Sequence, residues 1–145
     1  MKNEIWKDVI GYEGLYQISN QGKVKGLDRV LQYNATKTKI WKGKTIKTIV
    51  DGLGYCRVSL CKEGVKKAHK IHRLVSDMFL TGEGPINHID GNKLNNNISN
   101  LEHCTNSENI NHAYLNGLKP KKIRRKIICK ETNEIFYGPV ALSRE

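Results

Sequence analysis

The sequence predicts an α+β fold: small antiparallel hairpins at the N-terminal end, then a strand–loop–strand–helix unit, then the start of a further module. Three observations predict it. Apolar and polar residues alternate with period two, between glycine-bearing turns, through much of the first third of the chain. The period changes to that of a helix at 71–79. A capping box at 105–108 then opens a second helical segment directly after two short strand-like runs.

The first hairpin is read from "GLYQISNQGKVKGL" (14–27), where Leu15, Tyr16 and Ile18 precede a turn at Asn20-Gln21-Gly22 and Val24 follows it. Lysines then interleave with apolar residues through "KTKIWKGKTIKTIV" (37–50), and "DGLGYCRVSLCKEG" (51–64) predicts a strand over 55–60 bounded by glycines. Lysine-studded hairpins suit a surface laid along a duplex; they equally suit an ordinary half-exposed sheet with solvated lysines.

"IHRLVSDMF" (71–79) places Ile71, Leu74, Val75, Met78 and Phe79 on one helical face, to be buried against the sheet, with His69 and His72 at its start as capping or packing residues. "TGEGP" (81–85) ends that helix. "INHID" (86–90) and "LEHC" (101–104) predict short strands, with His103 a surface residue on the second. Between them "GNKLNNNISN" (91–100) predicts a polar loop into which Leu94 and Ile98 tuck. "TNSE" predicts reciprocal Thr105–Glu108 capping, Ile110, Ala113 and Tyr114 an apolar stripe, and Gly117 and Pro120 the helix end.

"KPKKIRRK" (119–126) carries six basic residues and predicts a cationic linker. "IICKETNEIFYGPVALSRE" (127–145) predicts a strand, a turn at 132–133, a second strand and a helix start, which together read as a partial module. The resulting division is a β-rich module at 1–68, a strand–loop–strand–helix core at 69–117, a basic linker at 118–126 and the partial module at 127–145.

A formal net charge of +11 over 145 residues favours a polyanionic partner, nucleic acid before an anionic membrane surface. No apolar run approaches the roughly 18 residues that span a bilayer, and no signal-peptide core is present, so a soluble, cytoplasmic protein with no membrane partner is expected. The four cysteines lack C-x-x-C spacing, which disfavours a structural zinc site.

The stretch "NHIDGNKLNNNISNLEHCTNSENINHA" (87–113) concentrates three of five histidines and nine asparagines. In a strand–strand–helix unit, Asn109 and His112 share a helix face that can meet His88, with Asn100 nearby: an imidazole base beside hard and imidazole donors for one divalent ion. Phosphodiester hydrolysis uses such a set, a base near neutral pKa and an ion that stabilises charge on the phosphate and the leaving 3′ oxygen.

The same stretch resembles the HNH nuclease motif in the form found in phage and intron-encoded homing endonucleases. "EIWKDVIGYEGLYQISNQGKVKGL" (4–27) is similar to the modular DNA-binding motif that precedes HNH domains in those enzymes, and 127–145 to the start of the module that often closes them. The resemblance implies a ββα-metal nuclease core with His88 as general base, Asn100 as the residue bracing the loop and orienting the base, and Asn109 as a metal ligand. It places Asn87 at a second ligand position, held by Asp in some relatives, so that a negative charge is missing here. His112 is a further metal ligand, a phosphate contact or neither; Asp90 is a supporting partner or a turn former before Gly91.

The expected function is therefore a metal-dependent DNA endonuclease of the HNH homing type, using one Mg²⁺ or Mn²⁺ ion per site, acting as a monomer on double-stranded DNA and nicking one strand, in the host cytoplasm if phage-encoded. Lys23, Lys25, Lys42, Lys44, Lys47 and Arg57 in the hairpins, with Lys121, Lys122, Arg124 and Arg125 in the linker, are the expected DNA contacts. The competing class is a non-catalytic DNA-binding remnant of such an enzyme. An RNA-binding regulator is disfavoured because aromatics form only 7% of the chain and do not cluster.

Overall fold

The Asn20-Gln21-Gly22 turn forms because Gly22 supplies a φ of 79° and the Ser19 hydroxyl accepts from the Gln21 and Lys23 backbone N–H groups. It joins the strands that follow β1 (Trp6–Asp8): β2 (Tyr16–Ser19) and β3 (Val24–Gly26), in an antiparallel sheet ordered β1-β2-β3. The computed structural model describes residues 3–32, 34, 36–119, 125–128 and 135–138. Its contacts divide the chain into two units, Met1–Asn109 and Ile110–Glu145.

In the first unit, β4 (Arg29–Gln32) and β5 (Thr38–Trp41) form an isolated hairpin that leaves Val30 and Ile40 exposed. Then β6 (Ile49–Val50), β7 (Cys56–Lys62) and β8 (Val65–Lys70) form an antiparallel meander. The β7–β8 turn is the two-residue pair Glu63-Gly64, both at positive φ, as the twist of a tight hairpin requires. Helix α1 (Ile71–Phe79) follows without a loop and buries Ile71, Leu74 and Val75, as its spacing predicts. Each such side chain contributes about 1.5–3 kcal/mol of burial.

Helix α1 is the hub of the unit, packing on β2, β7, β8 and the later strands β9 (Ile86–His88) and β10 (Leu101–His103). One core results, with Ile18 and Val24 from the first sheet, Val58 and Leu60 from the meander, Ile71 and Val75 from α1, and Leu101 from β10. It draws on both sides of the boundary expected at 68/69, which falls inside β8. The Tyr16 hydroxyl ties two sheets together, donating to Cys61 O and accepting from Cys61 N at 3.2 Å each.

The loop between β9 and β10 departs from expectation at Leu94, which is 54% exposed, whereas Ile98 does pack against the core. Side-chain oxygens capture the backbone here. Asp90 Oδ1 accepts from Asn92 N and Asn92 Oδ1 from Leu94 N, and these local turns leave Leu94 facing water. The loop closes in a single 3₁₀ turn, Ile98–Asn100, capped by the Asn97 side chain.

Helix α2 (Asn106–Leu115) starts on the predicted capping box: Thr105 N donates to Glu108 Oε2 at 2.7 Å and Glu108 N to Thr105 Oγ1 at 3.2 Å. The unit boundary falls inside this helix. Its expected apolar stripe is not buried: Ile110 is 44% exposed and no α2 residue is fully buried, because only a few of its ten residues are apolar. In the second unit Gly117, at φ 67°, ends α2, and β11 (Arg125–Ile128) pairs antiparallel with β12 (Ile135–Gly138). The turn expected at 132–133 and the helix start expected at 139–145 lie outside the described residues. Among the described residues, no helix is long and apolar enough to cross a membrane.

Candidate active site

His88 is the last residue of β9, held in register opposite Leu101, and is only 5% exposed. Its Nε2 lies 3.4 Å from Asn96 Oδ1, a long hydrogen bond. The Asn96 amide is oriented by its own Nδ2, which donates to Leu94 O at 3.0 Å, so the atom facing His88 is an acceptor. The proton of neutral His88 therefore sits on Nε2 and the lone pair on Nδ1. Burial pushes the imidazole below its ordinary value and Lys93 adds to this, while the Asn96 bond and the Asp90 carboxylate pull it back up.

Behind His88 stands His72, the second residue of α1, with ring centroids 5.3 Å apart in an edge-on arrangement. Tyr55 lies 5.0 Å from His72 and 6.2 Å from His88. Burial first, then the charges of His88, Lys70 and Arg73, lower the His72 pKa to about 4, against an opposing pull from Asp51. His72 is therefore a neutral packing wall at working pH. The Lys70 and Lys93 ammonium groups each sit 4.5 Å from the Tyr55 ring, which sets two cations at the rim of the histidine cluster.

Asn100 ties the loop to the strand. Its Nδ2 donates to Asp90 Oδ1 and Asn95 O, and its Oδ1 accepts from Asp90 N, all within 2.8–2.9 Å. Asp90, which also accepts from Asn95 Nδ2 at 2.7 Å, is the organiser of the loop as well as its turn former. Asn95, Asn92 and Asn100 hold its carboxyl below the usual carboxylate range.

Asn87 is 6% exposed, and its Nδ2 donates to Glu102 Oε1 at 2.8 Å. A carboxylate only accepts, so the amide oxygen must point the other way, and among the described residues it takes no hydrogen bond. Asn109, half-buried on α2, likewise makes no side-chain hydrogen bond to the described residues. No group of three or more His, Cys, Asp or Glu able to hold a metal occurs among the described residues. The donors left are amide oxygens, hard ligands that fit a Mg²⁺-type ion keeping most of its waters. The structure thus joins His88 to Asn96 and ties Asn100 into the same loop, while Asn87 pairs with Glu102; His112 lies three residues beyond Asn109, in the second unit.

The expected DNA contacts fall in different settings. Lys25 stacks over Trp6 at 4.2 Å, and Lys44 lies 5.9 Å from the Trp41 ring. Lys47 is exposed and Arg57 half-buried. Lys23 and Lys42 already pair with Glu4 (3.3 Å) and Asp28 (2.9 Å). Arg125 opens β11, whereas Lys121, Lys122 and Arg124 lie outside the described residues.

Sequence reasoning missed Asn96 and Glu102, and read His103 as a surface residue. His103 is instead half-buried, its Nε2 3.0 Å from the Oγ of the buried Ser76, which fastens β10 to α1. Only Glu102 had a usable signal, since pairing the two predicted strands sets it opposite Asn87. Gly22 links the two halves of the unit: a Cβ there would stand 2.8 Å from Asn96 Cβ and 3.3 Å from Ile71 Cγ2. The N-terminal hairpin turn thus backs the residue that orients His88.

Comparison with known families matches the NUMOD4 motif to residues 4–61 and an HNH endonuclease to 69–110. DNA endonuclease I-HmuI of Bacillus phage SP01 is 38% identical over 147 residues, covering 97% of this chain and 76% of that protein. An uncharacterized HNH endonuclease of Acanthamoeba polyphaga mimivirus is 40% identical over 125 residues, covering 84% of this chain and 33% of that protein. A solved structure described as DNA binding and cleavage by the HNH homing endonuclease I-HmuI has a TM-score of 0.65 at 34% identity, covering 80% of this chain and 61% of that one. This chain therefore spans only part of the length of these relatives.

Proposed function

The chain belongs to the HNH homing endonuclease family, and from that premise we propose that it hydrolyses phosphodiester bonds of double-stranded DNA, nicking one strand per site with His88 as general base and a divalent ion at the site. The observation that carries the reading is the pinned imidazole. Asn96 holds the proton of His88 on Nε2, and burial keeps the ring neutral, so Nδ1 is ready to take a proton from water.

The steps follow from this chain's residues. Asn100 and Asp90 keep the loop, and hence Asn96, in place. His72 and Tyr55 wall the base on its protein side and exclude water there. Nδ1 of His88 removes a proton as the water oxygen attacks phosphorus and the bond to the 3′ oxygen breaks. Asn87 and Asn109 would hold the ion through their amide oxygens. When bound, a Mg²⁺ or Mn²⁺ ion supplies charge stabilisation at the phosphate and at the leaving 3′ oxygen. Lys25, Lys44, Lys47 and Arg57, with the basic linker, contact DNA phosphates, and the chain acts as a monomer.

The test is conversion of supercoiled plasmid to open circle with Mg²⁺ or Mn²⁺, with EDTA, and with His88→Ala. Metal-dependent nicking that EDTA stops and the variant loses is expected. A wild type that shifts DNA on a gel, as the variant also does, yet cuts under neither metal would refute catalysis and leave a DNA-binding remnant.

A further inference from the structure

We propose that Glu102 is a positioning residue for Asn87, supplying through the Asn87 amide the negative charge that an aspartate would carry at that position. The inference rests on the reading of Asn87 as a metal ligand. The β9–β10 ladder sets Glu102 directly opposite Asn87, where facing Cβ atoms in an antiparallel pair lie roughly 5 Å apart. The Nδ2 to Oε1 distance of 2.8 Å is that of a charge-assisted hydrogen bond.

Three consequences follow from that contact. The carboxylate dictates which end of the amide is NH₂, so Oδ1 is aimed away from Glu102. A buried Asn with one end tied has one orientation rather than two, so the oxygen is already in place when an ion arrives. A full negative charge at the N–H end polarises the amide and makes its oxygen a stronger donor. A carboxylate behind a ligand does the same for metal-bound imidazoles, where removing it typically lowers affinity 10–100-fold. Glu102 itself stays exposed, and the pair avoids burying two acids side by side.

The test titrates Mn²⁺ into the full chain and reads bound ion from loss of the free-ion EPR signal, for the wild type, Glu102→Ala, Glu102→Gln, Asn87→Ala and Asn87→Ala/Glu102→Ala. Glu102→Ala should weaken Mn²⁺ binding about tenfold or more. Glu102→Gln keeps an acceptor but no charge and should recover only part of the loss. In the Asn87→Ala background the second substitution should add nothing, because Glu102 acts through the amide. Unchanged binding in Glu102→Ala, full recovery in Glu102→Gln, or additive losses in the double variant would each overturn the proposal while leaving the nuclease reading intact. Unchanged binding in Asn87→Ala would instead remove Asn87 as a ligand, and the proposal with it.

Discussion

His72→Leu should make this protein more resistant to acid. His72 is 5% exposed, its Nδ1 is buried without a hydrogen bond among the described residues, and its rings of contact are His88 and Tyr55. Its pKa is about 4 when folded against an ordinary 6.5. Between those values the unfolded chain binds the extra proton and the folded chain does not. Stability is therefore complete above 6.5 and is lost as pH falls, levelling off below about 4. At about 1.4 kcal/mol per pKa unit the full loss is roughly 3 kcal/mol, of which about 2 kcal/mol has gone by about pH 5. Leucine has a similar volume, cannot protonate and leaves no buried nitrogen unpaired. Urea unfolding of wild type and variant at about pH 7.5 and about pH 5 measures the difference. His88 shifts in the same direction and stays in both proteins, so the difference between their pH slopes reports His72 together with its coupling to His88. Parallel slopes would refute the argument, because they would mean that the His72 environment does not discriminate against the imidazolium.

The nicking rate should rise with pH in proportion to neutral His88, with its midpoint below the ordinary histidine value of 6.5, because burial lowers that pKa; a midpoint at or above 6.5 in plasmid assays would contradict the buried base. Gly22→Ala and Asn96→Ala should lower kcat alike, by roughly 10-fold or more, since the first pushes a Cβ to 2.8 Å from the residue that the second removes; gel-shift affinity for DNA should hold in both, and an active Gly22→Ala enzyme would show that the turn is not what fixes Asn96. Lys44→Ala/Lys47→Ala should flatten the log–log salt dependence of DNA binding by about 1–2 units of slope, whereas Lys23→Ala should change it less, because Lys23 already pairs with Glu4; equal changes would mean that the Glu4 pair opens on DNA.

Much of the frame follows from local physics and is legible in the chain. The Asn20-Gln21-Gly22 turn, the α1 face at 71–79 and the Thr105–Glu108 box depend on neighbours a few residues away, and each forms as its residues predict. Leu94 and Ile110 were misread for related reasons: side-chain oxygens outcompeted burial at the first, and at the second too few apolar partners share the helix. The candidate site was legible as residue types and spacing, because His and Asn at those intervals suit a base and hard ligands.

What the sequence by itself determined is the inventory: an α+β chain, a cationic surface, an imidazole at His88 and amides around it. What only the tertiary structure decided is how those groups are held. The Asn96 bond that sets the His88 tautomer, the Gly22 turn pressed on Asn96, the His72 wall and the Glu102–Asn87 pair mostly join residues far apart in the chain. Periodicity records which face of an element is buried, but not what meets it. That is settled only when α1 draws two sheets and the β9–β10 ladder onto one core.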